Sequence, residues 1–313
     1  MQPSISVGIP TYKRSKLFRE ALYSVIEQTL QPVEIIIGDD SPDDITENLV
    51  LDIKKECKIP IFYFRHSPSL GQSENVNFLY ETAKGDKIVL LHDDDLLLPN
   101  ALEDLNSCWD LHPDLVASYG KQYIVSEDGA IDMEHSSDLN QMFFRTSDRA
   151  GLQNSSVESA ILHQFPNDCF MILASAAKAI KWRSYEEVGD AGDFDFGLRL
   201  SLEYPNFFFL DKYTAKYRLS SVSISKSDNR RAASESFNII LNTTLPESVS
   251  WAKEHELMRE APIAIIELIS LGKRKQALDI YFSKYHPLSR RMSLGGVRRL
   301  LKALLPTSIG KLI

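Results

Sequence analysis

Three adjacent carboxylates, Asp93, Asp94 and Asp95, are the residues of this chain best suited to chemistry. They follow the apolar run 88–91, which begins after the turn signal Gly85-Asp86 and is typical of a buried strand in a parallel sheet. Ligands collect at the carboxyl ends of strands in open α/β sheets, so the acids stand where chemistry usually occurs. Adjacent like charges repel unless they are solvated, paired or shared with a cation, and we therefore expect a divalent metal.

A structural interpretation of the triplet stays open on these residues alone. Pro99 and Asn100 are followed by Ala-Leu-Glu-Asp-Leu, which looks like the start of a helix. Acidic residues near a helix N-terminus stabilise the helix without any further function. The triplet is therefore either a turn and cap or a metal site, and the rest of the chain has to decide.

The composition is that of a globular protein with an acidic balance. The chain has 313 residues, 43% hydrophobic and 25% charged, which suits one sizeable domain and an appendage. A net charge of -8 and a pI near 5.5 argue against a nucleic-acid-binding surface as the main function. The first residues lack the features of a signal peptide, and no run approaches the length of a membrane span. We expect a cytoplasmic protein without a nucleic-acid partner.

The first hundred residues alternate short apolar runs with amphipathic stretches of helical spacing. The runs predict strands at residues 5–9, 33–37, 61–64 and 88–91, the first one broken by Pro10, with helices between them. This alternation implies βαβ units, a largely parallel sheet and right-handed crossovers. The loops that follow the strands are polar, so several of them should converge on one edge of the sheet.

The second half of the chain is less regular. Residues 101–111 predict a helix and residues 116–125 a strand, whereas residues 132–159 are polar and small and indicate an irregular excursion over a ligand. Residues 170–180 are apolar and fit a helix or a strand equally well. We expect a helix to start near Asp193.

Near residue 225 the sequence changes from alternating strand and helix patterns to helix patterns only, which predicts two domains. Residues 1–225 form the α/β domain, and residues 226–313 form a helical appendage with a basic amphipathic tail. No acidic residue follows Asp279, and one helical face collects the apolar residues Leu294, Val297, Leu301, Leu304 and Leu305. Such a helix suits a membrane surface with anionic lipids, or it packs on its own domain. In the first case residues 292–313 hold the protein peripherally at the inner face of the cell membrane.

Five ordered segments resemble the family 2 glycosyltransferases of the GT-A fold. They are Val7-Gly-Ile-Pro-Thr-Tyr-Lys-Arg14, Glu34-Ile-Ile-Ile-Gly-Asp-Asp-Ser41, residues 71–77, Gly85-Asp86 and Leu91-His-Asp-Asp-Asp95. The likeness implies a Rossmann-like, mostly parallel sheet flanked by helices. It also implies transfer of a sugar from a nucleotide diphosphate sugar, with inversion at the anomeric carbon and a Mn²⁺ or Mg²⁺ ion.

The resemblance also implies roles for single residues. Aligned on Pro99, the metal ligand of the family falls on Asp94, with Asp95 beside it, while His92 stands where the family has its first acid. Asp40 resembles the acid that reads the base edge. Together with it, the implied nucleotide-binding residues are Pro10, Thr11, Tyr12, Arg14, Asp39, Asn77, Asp93 and Arg218.

The segment Gly192-Asp193-Phe-Asp-Phe-Gly-Leu-Arg-Leu200 resembles the one that carries the catalytic base of inverting members. The resemblance therefore makes Asp193 the base, because a sugar hydroxyl must lose its proton as it attacks. A helix N-cap is the structural alternative for Asp193. The acceptor is expected to be a glycan or a lipid-linked glycan, as in the assembly of bacterial surface polysaccharides.

Two competing functions differ in what they need from the triplet. A phosphoryl-transfer enzyme of the haloacid dehalogenase type also places Asp-x-Asp after a strand, but Leu96-Leu97 and the N-terminal segments do not fit it. A non-catalytic protein that binds nucleotide sugars is the other alternative, since His92, Val76 and Ser220 depart from the pattern of the family.

Overall fold

The computed structural model describes residues 4–219 and 231–305. These residues divide into two compact units. The sheet unit comprises the described part of Met1–Ser184 and Phe196–Ser221, and the helical unit the described part of Tyr185–Asp195 and Val222–Ile313. The predicted domain boundary at residue 225 lies outside the described residues and stays a prediction. Ser220 also lies outside them.

The strands within the described residues belong to one sheet. They are β1 (Ile5–Thr11), β2 (Glu34–Asp39), β3 (Ile61–Arg65), β4 (Lys87–Leu90), β5 (Leu96–Leu97), β6 (Ala117–Val125), β7 (Ile131–Asp132), β8 (Gly151–Leu152), β9 (Met171–Leu173) and β10 (Phe207–Arg218). The helices are α1 (Ser15–Ile26), α2 (Ile45–Lys54), α3 (Gln72–Thr82), α4 (Ala101–Leu111), α5 (Met133–Met142), α6 (Ser156–Ile161), α7 (Ala174–Ile180), α8 (Tyr185–Val188), α9 (Gly192–Glu203), α10 (Ala232–Asn242), α11 (Ser250–Ser270), α12 (Arg274–Phe282), α13 (Leu288–Arg291) and α14 (Leu294–Leu304).

The sheet is mixed, and its four longest ladders are parallel. The strand order is β3-β2-β1-β4-β9-β6-β10-β5, with β7 beside β6 and β8 beside β10. The strands β3, β2, β1 and β4 are parallel neighbours, as are β6 and β10. The short strand β9 lies antiparallel between β4 and β6. The α/β class with a Rossmann-like sheet, predicted from the sequence, is confirmed.

The central strands are apolar on both faces because helices cover both faces of the sheet. Val89 of β4 belongs to one buried cluster with Phe18 of α1. Its neighbours Ile88 and Leu90 belong to a second cluster with Tyr80 of α3. Successive side chains of a strand point to opposite faces, so a strand buried on both sides needs an unbroken apolar run. This explains the sequence just before the acidic triplet.

The first strand extends further than its sequence predicts. We expected β1 to stop at Pro10, but Pro10 and Thr11 continue it and pair with Gly38 and Asp39 of β2. The strand β4 pairs with β1 only as far as Gly8, so β1 has a free edge at the proline. A free edge tolerates the missing backbone donor of proline.

The segment 132–159 is more regular than predicted, since it contains α5, β8 and α6. The helix α5 is capped by Asp132, whose side chain accepts a hydrogen bond from the backbone N–H of His135 at 3.0 Å. Its buried side chains are polar: Ser136 Oγ accepts from Ile124 N at 2.8 Å, and Asn140 Oδ1 accepts from Gln122 N at 3.2 Å. A helix that packs through hydrogen bonds shows no apolar periodicity, and for this reason the prediction was wrong.

The apolar stretch 170–180, which fitted two structures, contains both. Its beginning forms β9 and its remainder forms α7. The strand is bound on both sides, to β4 and to β6.

The helical unit contains α10 to α14. The helix α11 is continuous across Pro262. Glu267 of α11 accepts hydrogen bonds from the backbone N–H groups of Ala233 and Ser234 at 3.3 and 2.7 Å, which satisfies donors at the start of α10. None of the described helices is long and apolar enough to cross a membrane.

Candidate active site

The polar loops after β1, β2 and β4 meet at one edge of the sheet, because these strands are parallel neighbours. Thr11 ends β1 and pairs with Asp39, which ends β2. The backbone N–H of Asp40 donates to the carbonyl oxygen of Thr11 at 3.0 Å, and Lys13 N donates to Ser41 Oγ at 2.8 Å. The two loops therefore form one connected surface, as the sequence predicts.

The first acid of the triplet is held by the loop after β1. Oδ2 of Asp93 accepts a hydrogen bond from Thr11 Oγ1 at 2.7 Å and a longer one from Tyr12 N at 3.3 Å. Nη1 of Arg14 lies 3.3 Å from Oδ1 of Asp93 and 2.8 Å from Oδ2 of Asp94. Three predicted nucleotide-binding residues, Thr11, Tyr12 and Arg14, are thus in direct contact with the triplet.

The surroundings of Asp93 disfavour its ionised form. Burial raises the pKa of Asp93 to about 6, although the Arg14 guanidinium opposes this shift. The charge of Asp94 contributes to the rise of this pKa, and the hydrogen bond from Thr11 opposes it. A further positive charge at this edge would stabilise the carboxylate, so the site favours a cationic ligand.

Asp95 contacts β10 rather than β1. It is buried, and its Oδ1 accepts a hydrogen bond from the backbone N–H of Arg218 at 2.7 Å. Arg218 is the last residue of β10, which is brought to this position by its parallel ladder with β6. The hydrogen bond therefore fixes the end of the triplet to β10, which lies on the other side of β4 from β1 in the sheet.

The side chain of Arg218 is buried and surrounded by protein acceptors. Nε donates to the carbonyl oxygen of Asp94 at 3.0 Å, and Nη1 donates to the carbonyl oxygen of Glu127 at 2.7 Å. Nη2 forms an ion pair with Glu20 Oε2 at 2.6 Å. This arrangement favours a positioning role for Arg218, and its predicted contact with the nucleotide stays a prediction.

A further cluster joins the triplet to a residue from elsewhere in the chain. His92, Asp95 and Asp168 offer ligand atoms that lie within 4.8 Å of one another. Oδ2 of Asp168 accepts from His92 N at 3.1 Å and lies 3.8 Å from His92 Nδ1. Burial, followed by the charge of Asp168, raises the pKa of Asp95 well above its ordinary value.

These residues fit the divalent cation that the resemblance implies. The Nε2 atom of His92 is buried and has no hydrogen-bond partner among the described residues. Two close, buried carboxylates repel each other unless a proton or a cation lies between them. Carboxylate oxygen and imidazole nitrogen are ligands that manganese and related divalent ions accept. The predicted ligand Asp94 is not part of this cluster, whereas the predicted ligand Asp95 is.

Asp168 is a residue of this cluster that the sequence alone does not indicate. The backbone N–H of its neighbour Cys169 donates to the carbonyl oxygen of Leu90 at 2.8 Å, which places Asp168 beside the end of β4. Oδ1 of Asp168 lies 3.5 Å from Nε2 of Gln122, and Oε1 of Gln122 accepts from Arg145 Nη1 at 2.8 Å. An acid between Asn167 and Cys169 looks like a turn residue, and no local pattern reveals that β9 inserts next to β4.

The acids after β2 are engaged with the protein. Oδ1 of Asp39 accepts from Ser41 N at 2.7 Å in an Asx-type turn, and Oδ2 accepts from the Tyr63 hydroxyl at 2.7 Å. Asp40 accepts from the backbone N–H groups of Leu70 and Gly71 at 3.0 and 2.9 Å. Each carboxylate oxygen has a second lone pair, so Asp40 retains capacity to accept from a base.

Two other predicted residues differ in exposure. Tyr12 is 52% exposed, so its side chain is available to a ligand. Asn77 is buried in α3, where its Nδ2 donates to Trp182 O at 3.0 Å and its Oδ1 accepts from Trp182 N at 2.7 Å. The amide of Asn77 thus joins α3 to the segment after α7, and its predicted contact with nucleotide stays a prediction.

The predicted base belongs to the helical unit. Asp193 lies half-buried in the first turn of α9, and its Oδ1 accepts a hydrogen bond from Phe194 N at 2.7 Å. The expectation that a helix starts near Asp193 is confirmed. Further along the helix, Arg199 donates to the carbonyl oxygens of Ile180 and Lys181 at 2.6 and 2.5 Å and thereby caps the end of α7.

Comparison with known proteins gives relatives that are named as glycosyltransferases. The chain is 32% identical over 103 residues to the GalNAc(5)-diNAcBac-PP-undecaprenol beta-1,3-glucosyltransferase of Campylobacter jejuni, a region that is 33% of either chain. It is 27% identical over 208 residues to abequosyltransferase RfbV of Salmonella typhimurium, which covers 66% of this chain and 60% of the relative. The matched regions therefore span one third to three fifths of these relatives.

Solved structures share the fold. The crystal structure of TarS 1-349 from S. aureus in complex with UDP matches with a TM-score of 0.60 and 19% identity, over 95% of this chain and 88% of that one. The mannosyltransferase PcManGT from Pyrobaculum calidifontis, in complex with GDP-Man and Mn²⁺, matches with a TM-score of 0.59 and 13% identity, over 97% and 88%. The fold is the predicted GT-A fold. The model of the family described as Glycosyl transferase family 2 matches residues 6–177, more than half of the chain, and the chain belongs to this family.

Proposed function

We propose that this protein is an inverting, metal-assisted glycosyltransferase that moves a sugar from a nucleotide diphosphate sugar to a hydroxyl group of a glycan or lipid-linked acceptor. The observation that carries the proposal is the contact of Thr11 and Arg14 with Asp93 and Asp94 at the carboxyl edge of the parallel strands. This edge is where α/β folds bind nucleotides. Membership of the family supports the class of reaction.

The donor is held by the loops after β1 and β2. The exposed ring of Tyr12 stacks on the base, and Asp40 accepts a hydrogen bond from the edge of the base. The remaining proposed contacts to the nucleotide are Pro10, Thr11, Arg14, Asp39, Asn77, Asp93 and Arg218. Structural relatives in complex with UDP, UDP-GlcNAc and GDP-Man support a nucleotide diphosphate sugar without choosing its base.

The site is proposed to work with Mn²⁺ or Mg²⁺. Asp94 and Asp95 are the ligands inferred from the sequence, and His92 with Asp168 extends the set around Asp95. A divalent cation held by these residues would supply Lewis acidity and positive charge to the diphosphate leaving group. Arg14 contributes a fixed positive charge on the same edge, next to Asp94. The complex of a structural relative with Mn²⁺ supports a metal in this fold.

The acceptor hydroxyl is proposed to lose its proton to Asp193. A carboxylate suits the role of general base, because it can accept the proton of a sugar hydroxyl as the new bond forms. The attack is a single displacement at the anomeric carbon, in which the oxygen of the acceptor forms the new bond while the bond to the diphosphate breaks. The half-buried position of Asp193 in a helical first turn supports this role, because the side chain stays reachable while its backbone is fixed.

The acceptor is proposed to be a lipid-linked glycan in the assembly of a bacterial surface polysaccharide. The name of the Campylobacter jejuni relative, which contains an undecaprenol-linked acceptor, supports this class. A lipid-linked acceptor requires the enzyme to work at the inner face of the cell membrane, so peripheral association through residues 292–313 is part of the proposal.

The experiment is a screen of UDP-, GDP- and TDP-sugars with lipid-linked acceptors, with and without Mn²⁺, that measures release of nucleoside diphosphate. We expect one donor to react only when acceptor and metal are both present. Asp193→Asn should lower kcat about 10²- to 10⁴-fold, the usual contribution of a general base, while donor binding stays the same.

The matched control is Asp52→Asn, because Asp52 is an exposed acid of α2 with a surface ion pair to Lys55. This control should turn over at the wild-type rate. Turnover by Asp193→Asn close to that of the control would contradict the role of Asp193. Donor binding without transfer to any acceptor would instead support the non-catalytic alternative.

A further inference from the structure

The last described helix, α14, leaves an apolar stripe uncovered. Leu294, Val297, Leu301 and Leu304 follow one another at helical spacing, so they share one face. They are 94%, 45%, 40% and 59% exposed, respectively. Isolated exposed leucines are ordinary on a protein surface, but a contiguous stripe marks an interaction surface.

The opposite face of α14 is the one that packs on the helical unit. Gly296 and Ala303, seven residues apart, are the buried residues of this helix. A Cβ atom at Gly296 would lie 2.0 Å from the carbonyl oxygen of Arg290 and 2.5 Å from that of Arg291, so the helix approaches the preceding turn as closely as only glycine permits. The apolar stripe predicted from the sequence therefore does not serve to hold α14 on the described part of its own unit.

The charged residues of α13 and α14 are all basic. Arg298, Arg299 and Lys302 lie on α14, Arg290 and Arg291 end α13, and no acidic residue follows Asp279. The stripe is continued before α14 by Leu288 and Met292, which are 67% and 75% exposed. A basic helix with an exposed apolar face has the pattern of helices that lie in the interface of a membrane.

We propose that α14, together with Leu288 and Met292, docks on the surface of a bilayer that contains anionic phospholipids. This docking extends the proposed function. It rests on that function only because a lipid-linked acceptor gives the enzyme a reason to bind a membrane. The apolar stripe enters the boundary between headgroups and acyl chains, and the basic side chains contact the phosphates. A second copy of the chain is a poorer partner, because two such surfaces would bring two groups of five basic residues together.

The experiment is co-sedimentation of the full chain with vesicles of phosphatidylglycerol and phosphatidylcholine, compared with vesicles of phosphatidylcholine alone. We expect strong binding to the anionic vesicles, weakened by salt because Arg290 and Arg298 are exposed and salt screens their attraction to the phosphates. The double variant Leu294→Glu/Leu304→Glu should bind at least about tenfold more weakly. Arg298→Gln should weaken binding about fivefold, the usual effect of one basic residue at an anionic surface.

The matched control is Leu111→Glu, because Leu111 is also exposed, at 69%, but ends α4 in the sheet unit. This control should bind vesicles as the wild type does. Failure of the wild type to bind anionic vesicles, or equal loss in the control, would overturn the proposal. A dimer in sedimentation velocity that only the double variant dissociates would overturn it in favour of a second copy. Sugar transfer to a water-soluble acceptor tests the proposed function separately, since it does not depend on vesicles.

Discussion

At the scale of residues, the acidic triplet is a set of three neighbours with three different environments. Asp93 is held by the hydroxyl group of Thr11, Asp94 is paired with Arg14, and Asp95 is buried beside Asp168. The three acids are therefore met by one hydrogen-bond donor, one cation and, for Asp95, a second buried carboxylate. A cation would be stabilised most beside Asp95 and Asp168, because it would relieve the repulsion between two buried carboxylates.

Removal of Asp168 tests which side chains bind the metal. If the ion lies between His92, Asp95 and Asp168, Asp168→Asn should weaken Mn²⁺ binding at least about tenfold, more than Asp94→Asn does. The metal-free variant should be as stable as the wild type, because one of two repelling buried carboxylates is neutralised. Free Mn²⁺ measured by electron paramagnetic resonance checks the affinity, and Asp52→Asn serves as the control. A larger loss in Asp94→Asn would assign the ion to Asp94.

A second prediction at this scale concerns the buried residue His286 of the helical unit. Burial, together with the charges of Arg299, Arg291 and Arg290, lowers the pKa of His286 to about 4. The unfolded chain protonates this side chain near pH 6.5, its ordinary pKa. Stability from His286 is therefore complete above pH 6.5 and falls as the pH drops toward 4, since the unfolded state binds more protons in this range.

His286→Phe should flatten that dependence on pH. Both ring nitrogens of His286 lack a hydrogen-bond partner among the described residues, so phenylalanine loses no bond and keeps the ring contact with Tyr281, whose centroid is 4.9 Å away. The melting temperature, measured at pH 7.5 and pH 5, should fall less in the variant than in the wild type. An equal fall in both proteins would show that other groups control the acid sensitivity.

At the scale of elements, the site depends on how closely β10 lies against β6. A Cβ atom at Gly120 of β6 would lie 2.6 Å from the side chain of Thr214 and 2.7 Å from the carbonyl oxygen of Lys212, both in β10. Arg218, four residues after Thr214 in β10, holds Asp95 through its backbone. The spacing between β6 and β10 thus determines the position of Asp95.

Gly120→Ala should therefore destabilise the protein and reduce metal binding together. The contact with a backbone oxygen cannot be relieved by a rotamer change, so we expect a loss of about 1–3 kcal/mol in the free energy of unfolding. Gly295→Ala is the control, because a Cβ atom there would lie 3.5 Å from the nearest atom of Arg299, an ordinary contact. Urea unfolding and Mn²⁺ titration measure the two effects. A fully stable Gly120→Ala protein would contradict this account.

The sequence predicts the elements that repeat a simple pattern, and it fails where packing is polar or the partner is distant. The parallel strands β1 to β4 show their apolar runs, and so the edge that carries Thr11, Asp39 and Asp93 was predictable. The helix α5 was missed because Ser136 and Asn140 attach it to β6 by hydrogen bonds. Asp168 was missed because its proximity to Asp95 arises from the insertion of β9 between β4 and β6, which no local pattern encodes.

At the scale of the whole molecule, the charge is divided very unevenly along the chain. The whole chain has a net charge of -8, and the seven basic residues after Asp279 leave a net charge of -15 on the residues before them. An anionic membrane attracts the basic end and repels the rest. Docking through α14 alone therefore leaves the acidic part of the protein free in the solvent rather than spread on the lipid.

The last prediction separates membrane docking from chemistry. An enzyme held on the surface that contains its acceptor meets that acceptor at a raised effective concentration. In Leu294→Glu/Leu304→Glu, kcat/KM for a lipid-linked acceptor in anionic vesicles should therefore fall at least about tenfold, in proportion to the loss of vesicle binding. Because neither leucine belongs to the proposed site, kcat/KM for a short-chain, water-soluble acceptor should stay at the wild-type value, as it should for Leu111→Glu with both acceptors. Initial rates with the two acceptors measure this, and an equal decline for both would mean that α14 acts on the site itself rather than through the membrane.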